Sequence, residues 1–236
     1  MKSIIYRAGD RGKSELGWLH SNFSFSFARY YDPAKMGFGL LRVLNDDYIE
    51  PETGFGAHPH DNMEIISIIL DGELQHKDSM GTGSIISKGE IQVMSAGSGI
   101  SHSEMNPSTD KIVNLLQLWI FPKEQNIKSR YDQDKFPLSE RKNVLKTVVS
   151  GFKNENTLYI HQDAAITLGN ADKGIELTYG NIKPGNGYYL FVINGKINLS
   201  GEILSTRDAI GITDTNKFSV TAEENSDFLI IEVPMN

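Results

Sequence analysis

The stretch GFGAHPHDNMEIISIILDG, residues 54–72, decides the fold class that we expect. His58 and His60 lie two residues apart, just ahead of an apolar run that ends at Asp71 and Gly72. An Asp-Gly pair supplies the positive φ values that a two-residue type I′ hairpin demands, so this run is predicted to be a strand. On an extended chain, residues i and i+2 point to the same side about 6.5 Å apart, which lets both imidazoles reach one ion.

A second pair with the same spacing, His102 and Glu104, lies near the end of GEIQVMSAGSGISHSEMNP, residues 89–107. Gly97 and Gly99 predict a tight turn just before it. Two such pairs on neighbouring strands would surround one ion with three imidazoles and one carboxylate, leaving one or two positions for water, substrate or dioxygen. A lone HxH is more often two ordinary surface histidines, but the second pair favours a metal site.

Two residues close to the first pair refine this prediction. Pro59 cannot donate a hydrogen bond to a strand ladder, so it predicts an edge strand or a bulge. Glu64 shares strand parity with His58 and His60, which predicts that it faces inward as an acceptor for a ligand or as a spare ligand. The alternative for Glu64 is a surface glutamate.

The rest of the chain has the pattern of an antiparallel all-β protein. Short runs rich in Ile, Val, Phe and Tyr are separated by turn signals at intervals of about ten residues, and long helical periodicity is missing. SIILDGELQ at 67–75 is similar to LFVINGKIN at 190–198, which indicates two copies of one β unit. The polar segment 122–143 contains two prolines and no strand alternation, so the boundary is predicted there.

We therefore expect two antiparallel jelly-roll barrels with few short helices. The predicted divisions are an N-terminal metal-binding barrel at 1–125, a linker at 126–143 and a C-terminal barrel at 144–236. No histidine follows His161, so the second barrel is predicted to be metal-free. His161 is expected to be an ordinary sheet residue, while His20 and His76 have no partner nearby in sequence and His76 is predicted to lie on the surface.

Composition excludes several classes of function. The 236 residues carry a formal net charge of -7 without a long basic run, which argues against nucleic acid or anionic lipid as the main partner. The absence of cysteine removes disulfides, thiolate metal sites and cysteine nucleophiles. Neither a secretory h-region nor an apolar stretch of about 18 residues occurs, so a cytoplasmic protein is expected.

Both histidine segments resemble the two cupin motifs in the form used by the pirin family. The stretches at 17–33, 36–51 and 81–107 are similar to the opening of bacterial pirin homologues, and the resemblance covers roughly the first 125 residues. It implies a bicupin fold, with His58 and His60 as the HxH ligands and with His102 and Glu104 as the HSE ligands. Ordinary cupins would take their carboxylate from the position of Glu64 instead.

The resemblance also implies an activity, the quercetin 2,3-dioxygenase reaction reported for several pirins. The implied cofactor is one divalent metal ion, most often Fe(II), with Mn, Co, Ni, Cu or Zn as alternatives, and a monomer is expected. A flavonol would lose its 3-hydroxyl proton to Glu104 before dioxygen attacks the ring. An apolar wall for the substrate, or else plain core, is predicted from Phe55, Met94, Ile100 and Met105.

Two other functions stay open at this point. One is a non-catalytic, metal- or redox-sensing module that binds other proteins, as a pirin-type protein could. The other is a different cupin chemistry, such as sugar isomerisation or acireductone-like oxidation.

Overall fold

The apolar runs of the sequence form strands throughout the structure, a computed structural model that describes residues 1–152, 156–180 and 182–236. Within these ranges, helical structure is limited to two 3-10 turns, Ala8–Asp10 and Leu138–Glu140. None of the described helices is long and apolar enough to cross a membrane. The predicted all-β, bicupin class is confirmed.

The strands are numbered in chain order. They are β1 (Lys2–Tyr6), β2 (Gly12–Glu15), β3 (Leu19–Phe23), β4 (Leu41–Ile49), β5 (Gly54–His60), β6 (Glu64–Asp71), β7 (Glu73–Asp78), β8 (Gly83–Ser87), β9 (Glu90–Ser95), β10 (Ile100–Met105), β11 (Val113–Ile120), β12 (Arg130–Lys135), β13 (Val144–Ser150), β14 (Leu158–Tyr159), β15 (Ala165–Ala171), β16 (Glu176–Gly180), β17 (Asn186–Asn194), β18 (Lys196–Leu199), β19 (Glu202–Ser205), β20 (Ala209–Thr213), β21 (Lys217–Ala222) and β22 (Ser226–Pro234).

The two halves of the chain repeat one topology. The N-terminal half has a seven-stranded sheet, β12-β9-β6-β11-β4-β3-β2, and a four-stranded sheet, β5-β10-β7-β8. The C-terminal half has β1-β20-β17-β22-β15-β13-β14 and β16-β21-β18-β19. The turns at Asp71-Gly72 and Asn194-Gly195 join equivalent strands in the two copies, but they are not the predicted type I′ hairpins. Each turn leads from the seven-stranded sheet into the four-stranded sheet, and in each only the glycine, Gly72 at φ 77° or Gly195 at φ 91°, has a positive φ.

Two strands depart from the predicted division of the chain. Strand β12 lies inside the predicted linker and pairs with β9, although its sequence RYDQDK lacks apolar alternation. Strand β1, from the N-terminus, pairs with β20 of the C-terminal half, where it takes the edge position that β12 takes in the other copy. Edge strands need few apolar residues, which is why the sequence pattern missed β12. The domain boundaries themselves stay a prediction.

The two seven-stranded sheets pack face to face through one apolar core that contains residues of both halves, such as Ile66, Leu118, Ile166 and Ile231. The apolar residues inside the C-terminal barrel form a single cluster, and beside it the buried carboxylate of Glu232 accepts a hydrogen bond from Tyr179 at 2.9 Å. The interior of the N-terminal barrel is instead divided into two apolar clusters.

A row of polar side chains crosses the sheet of the N-terminal barrel. Gln92, Ser67, Gln117 and Asn45 lie directly opposite one another on the neighbouring strands β9, β6, β11 and β4, and all four are buried. Buried polar groups in an apolar barrel are costly unless they serve a partner. This row therefore marks the part of the barrel where a functional site is to be sought.

A buried ionic cluster joins the halves. The carboxylate of Asp46, which is 1% exposed, accepts hydrogen bonds from Arg11 at 3.2 Å and from Arg207 of the C-terminal half at 3.0 Å. Asn114 donates to the other oxygen of Asp46 at 3.0 Å. The cluster fixes the two sheets at one end of their interface.

We expect the substitution Asp46→Ala to lower the free energy of unfolding by about 3–5 kcal/mol, because two largely buried guanidinium groups lose their carboxylate. Urea denaturation monitored by tryptophan fluorescence measures the change. The control is Asp71→Ala, which removes an exposed ion pair with Lys88 at 3.1 Å and should cost about 1 kcal/mol or less. Equal losses in the two variants would contradict a buried clamp between the halves.

Candidate metal centre

Strands β5 and β10 bring the two sequence pairs together. In their antiparallel register His58 lies opposite His102, and the register then shifts between His102 and Glu104. Strand β5 is the edge of its sheet, as the proline at position 59 predicted. Because i and i+2 residues of a strand share a face, His60 lies beside His58 and Glu104 lies beside His102.

Three imidazole rings converge at this point. The ring centroids of His58 and His60 are 4.8 Å apart, those of His58 and His102 are 4.5 Å apart, and those of His60 and His102 are 4.9 Å apart. One ring nitrogen from each lies within 4.8 Å of the others. Such spacing lets three nitrogen atoms contact a single ion.

The hydrogen bonds determine which nitrogens are available. Nδ1 of His58 lies 2.8 Å from the carbonyl oxygen of Gly56, which can only accept, so Nδ1 carries the proton and Nε2 has a free lone pair. Nε2 of His102 is buried and has no hydrogen-bond partner among the described residues. A buried ring nitrogen without a partner is unusual, and a metal ion would satisfy it. The donor set therefore fits a first-row divalent ion.

Two of the three rings, those of His60 and His102, are held in the neutral form by their lowered pKa values. Burial, reinforced by the neighbouring His58, lowers the pKa of His60 to about 4. Burial and the adjacent imidazoles lower the pKa of His102 to about 2. Imidazole binds a metal only in its neutral form, so the barrel keeps both rings ready for coordination across the whole range above pH 5.

Glu104 is buried beside these rings and is held by two donors. Its Oε2 accepts a hydrogen bond from Nε2 of Gln117 at 2.7 Å, and its Oε1 accepts one from the hydroxyl of Ser67 at 3.4 Å. Burial raises the pKa of Glu104, and the hydrogen bond from Gln117 opposes that rise. A carboxylate oxygen of Glu104 falls within 4.8 Å of nitrogens of His76 and His102. The four predicted ligands therefore do not form one group at this distance. His58, His60 and His102 converge, whereas Glu104 is grouped with His102 and with His76, which was not a predicted ligand.

His76 corrects one of our predictions. It was expected on the surface, yet it is 0% exposed and its ring centroid lies 5.2 Å from that of His102 and 4.6 Å from that of Tyr131. The alternation of strand β7 contained the signal, because Leu74 and His76 share the buried face. The expectation that His76 has no partner nearby in sequence is also wrong, because Asp78, two residues further along the same strand, is hydrogen-bonded to it.

A chain of hydrogen bonds links His76 to the cluster. Its Nε2 donates to Oδ2 of Asp78 at 3.1 Å, since a carboxylate can only accept, so Nδ1 of the neutral ring is an acceptor. Nδ1 of His102 lies 3.4 Å from that atom and donates to it. The remaining nitrogen of His102, Nε2, is left unprotonated. Asp78 and His76 thereby determine which nitrogen of His102 can bind an ion.

Glu64 does not face the histidine cluster, so the prediction of a spare ligand there is wrong. Its Oε2 accepts a hydrogen bond from Ser95 at 2.7 Å, and it shares a sheet face with Ile66 and Ile68 of the core between the halves. The parity count failed because β5 ends at His60. The turn that follows, with Asn62 at φ 45°, resets the side-chain direction before β6 begins.

The predicted apolar wall divides into two parts. Met94 and Ile100 are buried in one of the barrel clusters, which also contacts Trp119. Phe55 is half-buried, with its ring centroid 6.2 Å from that of His58, and Met105 is half-buried on β10. Their role against a substrate stays a prediction.

Two site residues on β11 were missed. Nε1 of Trp119 donates to Oε1 of Gln117 at 3.2 Å, which orients the amide so that its nitrogen faces Glu104. The ring of Trp119 also lies edge-on to His60, with centroids 4.9 Å apart. The signal was a glutamine at a buried position of an apolar strand, VNLLQLWI. Its significance depends on which strand lies across the barrel, and the sequence does not state that.

The two remaining histidines lie away from the cluster. Nδ1 of His20 contacts the carboxylate of Glu15 on the neighbouring strand β2. His161 follows the end of β14, so it is not a strand residue as expected, and its ring centroid lies 4.9 Å from that of Tyr159. In the C-terminal barrel, the strands equivalent to β5 and β10 carry Leu177, Tyr179, Phe218 and Val220 in the apolar interior. The prediction that this barrel is metal-free stays a prediction.

Comparison with known proteins bears on both halves. A family model described as Pirin matches residues 7–120, and one described as Quercetinase C-terminal cupin domain matches residues 147–233. The chain is 40% identical over 233 residues to the quercetin 2,3-dioxygenase of Escherichia coli (strain K12), covering 98% of this chain and 99% of that protein.

Two further relatives extend this likeness. The pirin-like protein of Caulobacter vibrioides is 39% identical over 224 residues, which is 94% of this chain and 95% of that one. The crystal structure of bacterial pirin YhhW from Escherichia coli in complex with nickel(II) superposes with a TM-score of 0.93 at 38% identity, and the match covers 99% of each chain.

The two glutamates give a first test of the centre. Glu104→Gln should weaken metal binding at least tenfold, because a buried charged donor becomes a neutral amide of the same shape. Glu64→Gln should leave metal affinity unchanged, since that carboxylate lies on the other face of the sheet. Elemental analysis of the purified variants, followed by chelator competition, measures both. Metal lost from the Glu64 variant and kept by the Glu104 variant would reverse the assignment.

His76 gives a second test. His76→Leu should weaken metal binding by about 10–100-fold, since loss of a partner behind a ligating histidine has this effect. His76→Gln should recover much of the affinity, because the amide can accept from His102 and donate to Asp78. Titration with Co(II), followed by its visible absorption, reports both affinity and coordination. His20→Leu is the control, and an equal effect there would contradict a specific role for His76.

Proposed function

The chain belongs to the pirin family, and we propose that it is a metal-dependent dioxygenase that cleaves flavonols such as quercetin. One observation carries the proposal. Three imidazoles converge beside a buried carboxylate, and one buried ring nitrogen among them has no hydrogen-bond partner among the described residues. The name of the Escherichia coli relative supplies the reaction class.

The ion would be held by His58, His60, His102 and Glu104. When bound, a divalent first-row ion supplies Lewis acidity toward an enolic oxygen and redox chemistry with dioxygen. With three neutral rings and one carboxylate, the centre carries a charge of about +1, which favours a monoanionic flavonolate over a neutral ligand. Fe(II) is the proposed ion. The same donors suit Mn, Co, Ni, Cu or Zn, and nickel occupies the structure of the relative.

Glu104 would accept the proton of the substrate's 3-hydroxyl group. Burial raises the pKa of this carboxyl in the metal-free protein, and a bound cation would oppose that rise. Its Oε2 is already bonded to Gln117 at 2.7 Å, so Oε1, with only the longer contact to Ser67, is the oxygen available for the proton. Gln117 and Trp119 hold the carboxylate in position, and therefore act as positioning residues.

The rim of the site suits a planar aromatic substrate. His58 and His60 are half-exposed, whereas His102 and Glu104 are buried, so the substrate would enter from the side of β5. Phe55 and Trp119 flank this side next to the rings of His58 and His60. Their edges and faces would contact the flavonol rings and exclude water from the reacting carbons.

The more specific statements of this proposal are supported by the sequence alone. They are quercetin itself as the physiological flavonol, dioxygen as the second substrate, a monomeric state and a cytoplasmic location. The division into a metal-binding barrel at 1–125, a linker at 126–143 and a metal-free barrel at 144–236 belongs to the same proposal.

Quercetin turnover tests the function. The protein loaded separately with Fe, Mn, Co, Ni or Cu should remove the absorbance of quercetin and consume dioxygen in equal amounts. The double variant His58→Ala, His102→Ala should lose at least 100-fold in kcat/KM, because two of the three nitrogen donors are gone. The matched control, His20→Ala, His161→Ala, removes two histidines outside the cluster and should keep full activity.

Equal turnover by the wild type and the His58, His102 double variant would overturn this mechanism. A protein that binds one metal ion tightly and turns over no flavonol would instead point to the metal- or redox-sensing alternative.

A further inference from the structure

A large cleft lies between the two halves at the edge of their shared core. It is on the face of the N-terminal sheet that points away from the metal centre. Its volume is about 780 Å³, and it is lined by residues of both halves. The turns at Asp71-Gly72 and Asn194-Gly195 flank it, with Leu70 just before one turn and Ile193 just before the other. The internal repeat therefore forms a space that neither barrel has alone.

The floor of the cleft is apolar. Ile68, Ile91, Phe136 and Leu168 line it and are buried members of the core between the halves, while Leu138 forms part of its rim at 50% exposure. A cleft of roughly 300–1,000 Å³ with apolar walls is typical of sites for small organic ligands.

The rim and back wall carry positive charge. Lys88, Lys135, Arg141 and Arg207 line the cleft, against the two carboxylates of Glu90 and Asp227. This local excess of positive charge stands out in a chain whose formal net charge is -7. It would attract a ligand of negative charge.

The four cations are not equally engaged. Arg141 pairs with Asp227 at 3.2 Å, and Arg207 shares the buried carboxylate of Asp46 with a second arginine, so two guanidinium groups meet one acid there. Lys135 is exposed and has no acidic partner within 4.0 Å among the described residues. Lys135 can therefore turn to a ligand without breaking an existing ion pair.

We propose that this cleft binds a small organic anion with an apolar body. The apolar floor would take the body, and Lys135 with the arginine side chains would face the acid group. The site is separate from the metal centre, because strand alternation places Ile68 on the opposite face of the sheet from Ser67, which contacts Glu104. The proposal does not depend on the dioxygenase reaction.

Fluorescence titration with 1-anilinonaphthalene-8-sulfonate tests the proposal, since this probe combines an apolar body with one negative charge. We expect saturable binding of one probe per chain. N-phenyl-1-naphthylamine has the same ring system without the sulfonate. Its affinity should be lower by about tenfold or more, because it gains nothing from the cations. Equal affinity for the two probes, or no saturable binding of the anionic one, would overturn the proposal.

Variants locate the bound probe. Lys135→Glu reverses an unpaired rim charge, and Leu138→Glu removes an exposed apolar contact, so each should weaken binding about fivefold or more without affecting folding. The matched controls are Lys217→Glu and Leu16→Glu, two exposed positions outside the cleft, which should bind the probe as the wild type does. Binding must also persist in the His58→Ala, His102→Ala variant. Loss of binding there, or wild-type binding by both rim variants, would place the probe elsewhere and refute the cleft.

Discussion

The unpaired Nε2 atom of His102 is the constraint on which the candidate centre depends. A buried ring nitrogen without a partner costs free energy, and the barrel tolerates it only because other groups hold the ring in one orientation. His76 accepts from the opposite nitrogen, and Asp78 in turn accepts from His76. Two backbone N–H groups, those of Met80 and Thr82, donate to Asp78 at 2.9 and 3.0 Å and fix the start of this chain. The orientation of one imidazole therefore originates in a hairpin turn.

The two copies of the fold differ in the residues that line their interiors, and only the N-terminal copy contains the candidate metal centre among the described residues. Both barrels have the same strand order, but the apolar residues of the C-terminal barrel form one cluster, whereas the N-terminal barrel contains a row of buried amides and hydroxyls that divides its apolar residues into two clusters. Ser67 and Gln117 of that row donate to Glu104. The polar row weakens the apolar packing of the N-terminal barrel, and in return it holds a carboxylate where water is excluded. The apolar barrel and the shared core between the sheets keep the whole molecule stable despite that cost.

Short-range patterns predicted what local geometry controls. The positions of the Asp-Gly and Asn-Gly turns, the i and i+2 pairs and the edge position of β5 were readable, because each depends on neighbours in sequence. The predicted hairpins at those turns were wrong, because strand pairing places the two strands of each turn in different sheets. Glu64 and His76 were misjudged for related reasons. The parity of Glu64 was counted across a turn that interrupts the strand. The partners of His76 are His102 on the distant strand β10 and Asp78 at the end of β7. Strand β12 escaped detection because an edge strand requires little apolar alternation.

By itself, the sequence determined an all-β, duplicated chain with two histidine-bearing strands, since hydrophobic period, turn chemistry and motif spacing are local properties. Tertiary structure alone decided that His76, Gln117 and Trp119 surround those strands, that Glu64 faces away from them, and that the two halves enclose a positively lined cleft. The physical reason is strand order. Which residues meet across a barrel depends on pairings between segments far apart in the chain, and no single segment encodes its distant neighbour.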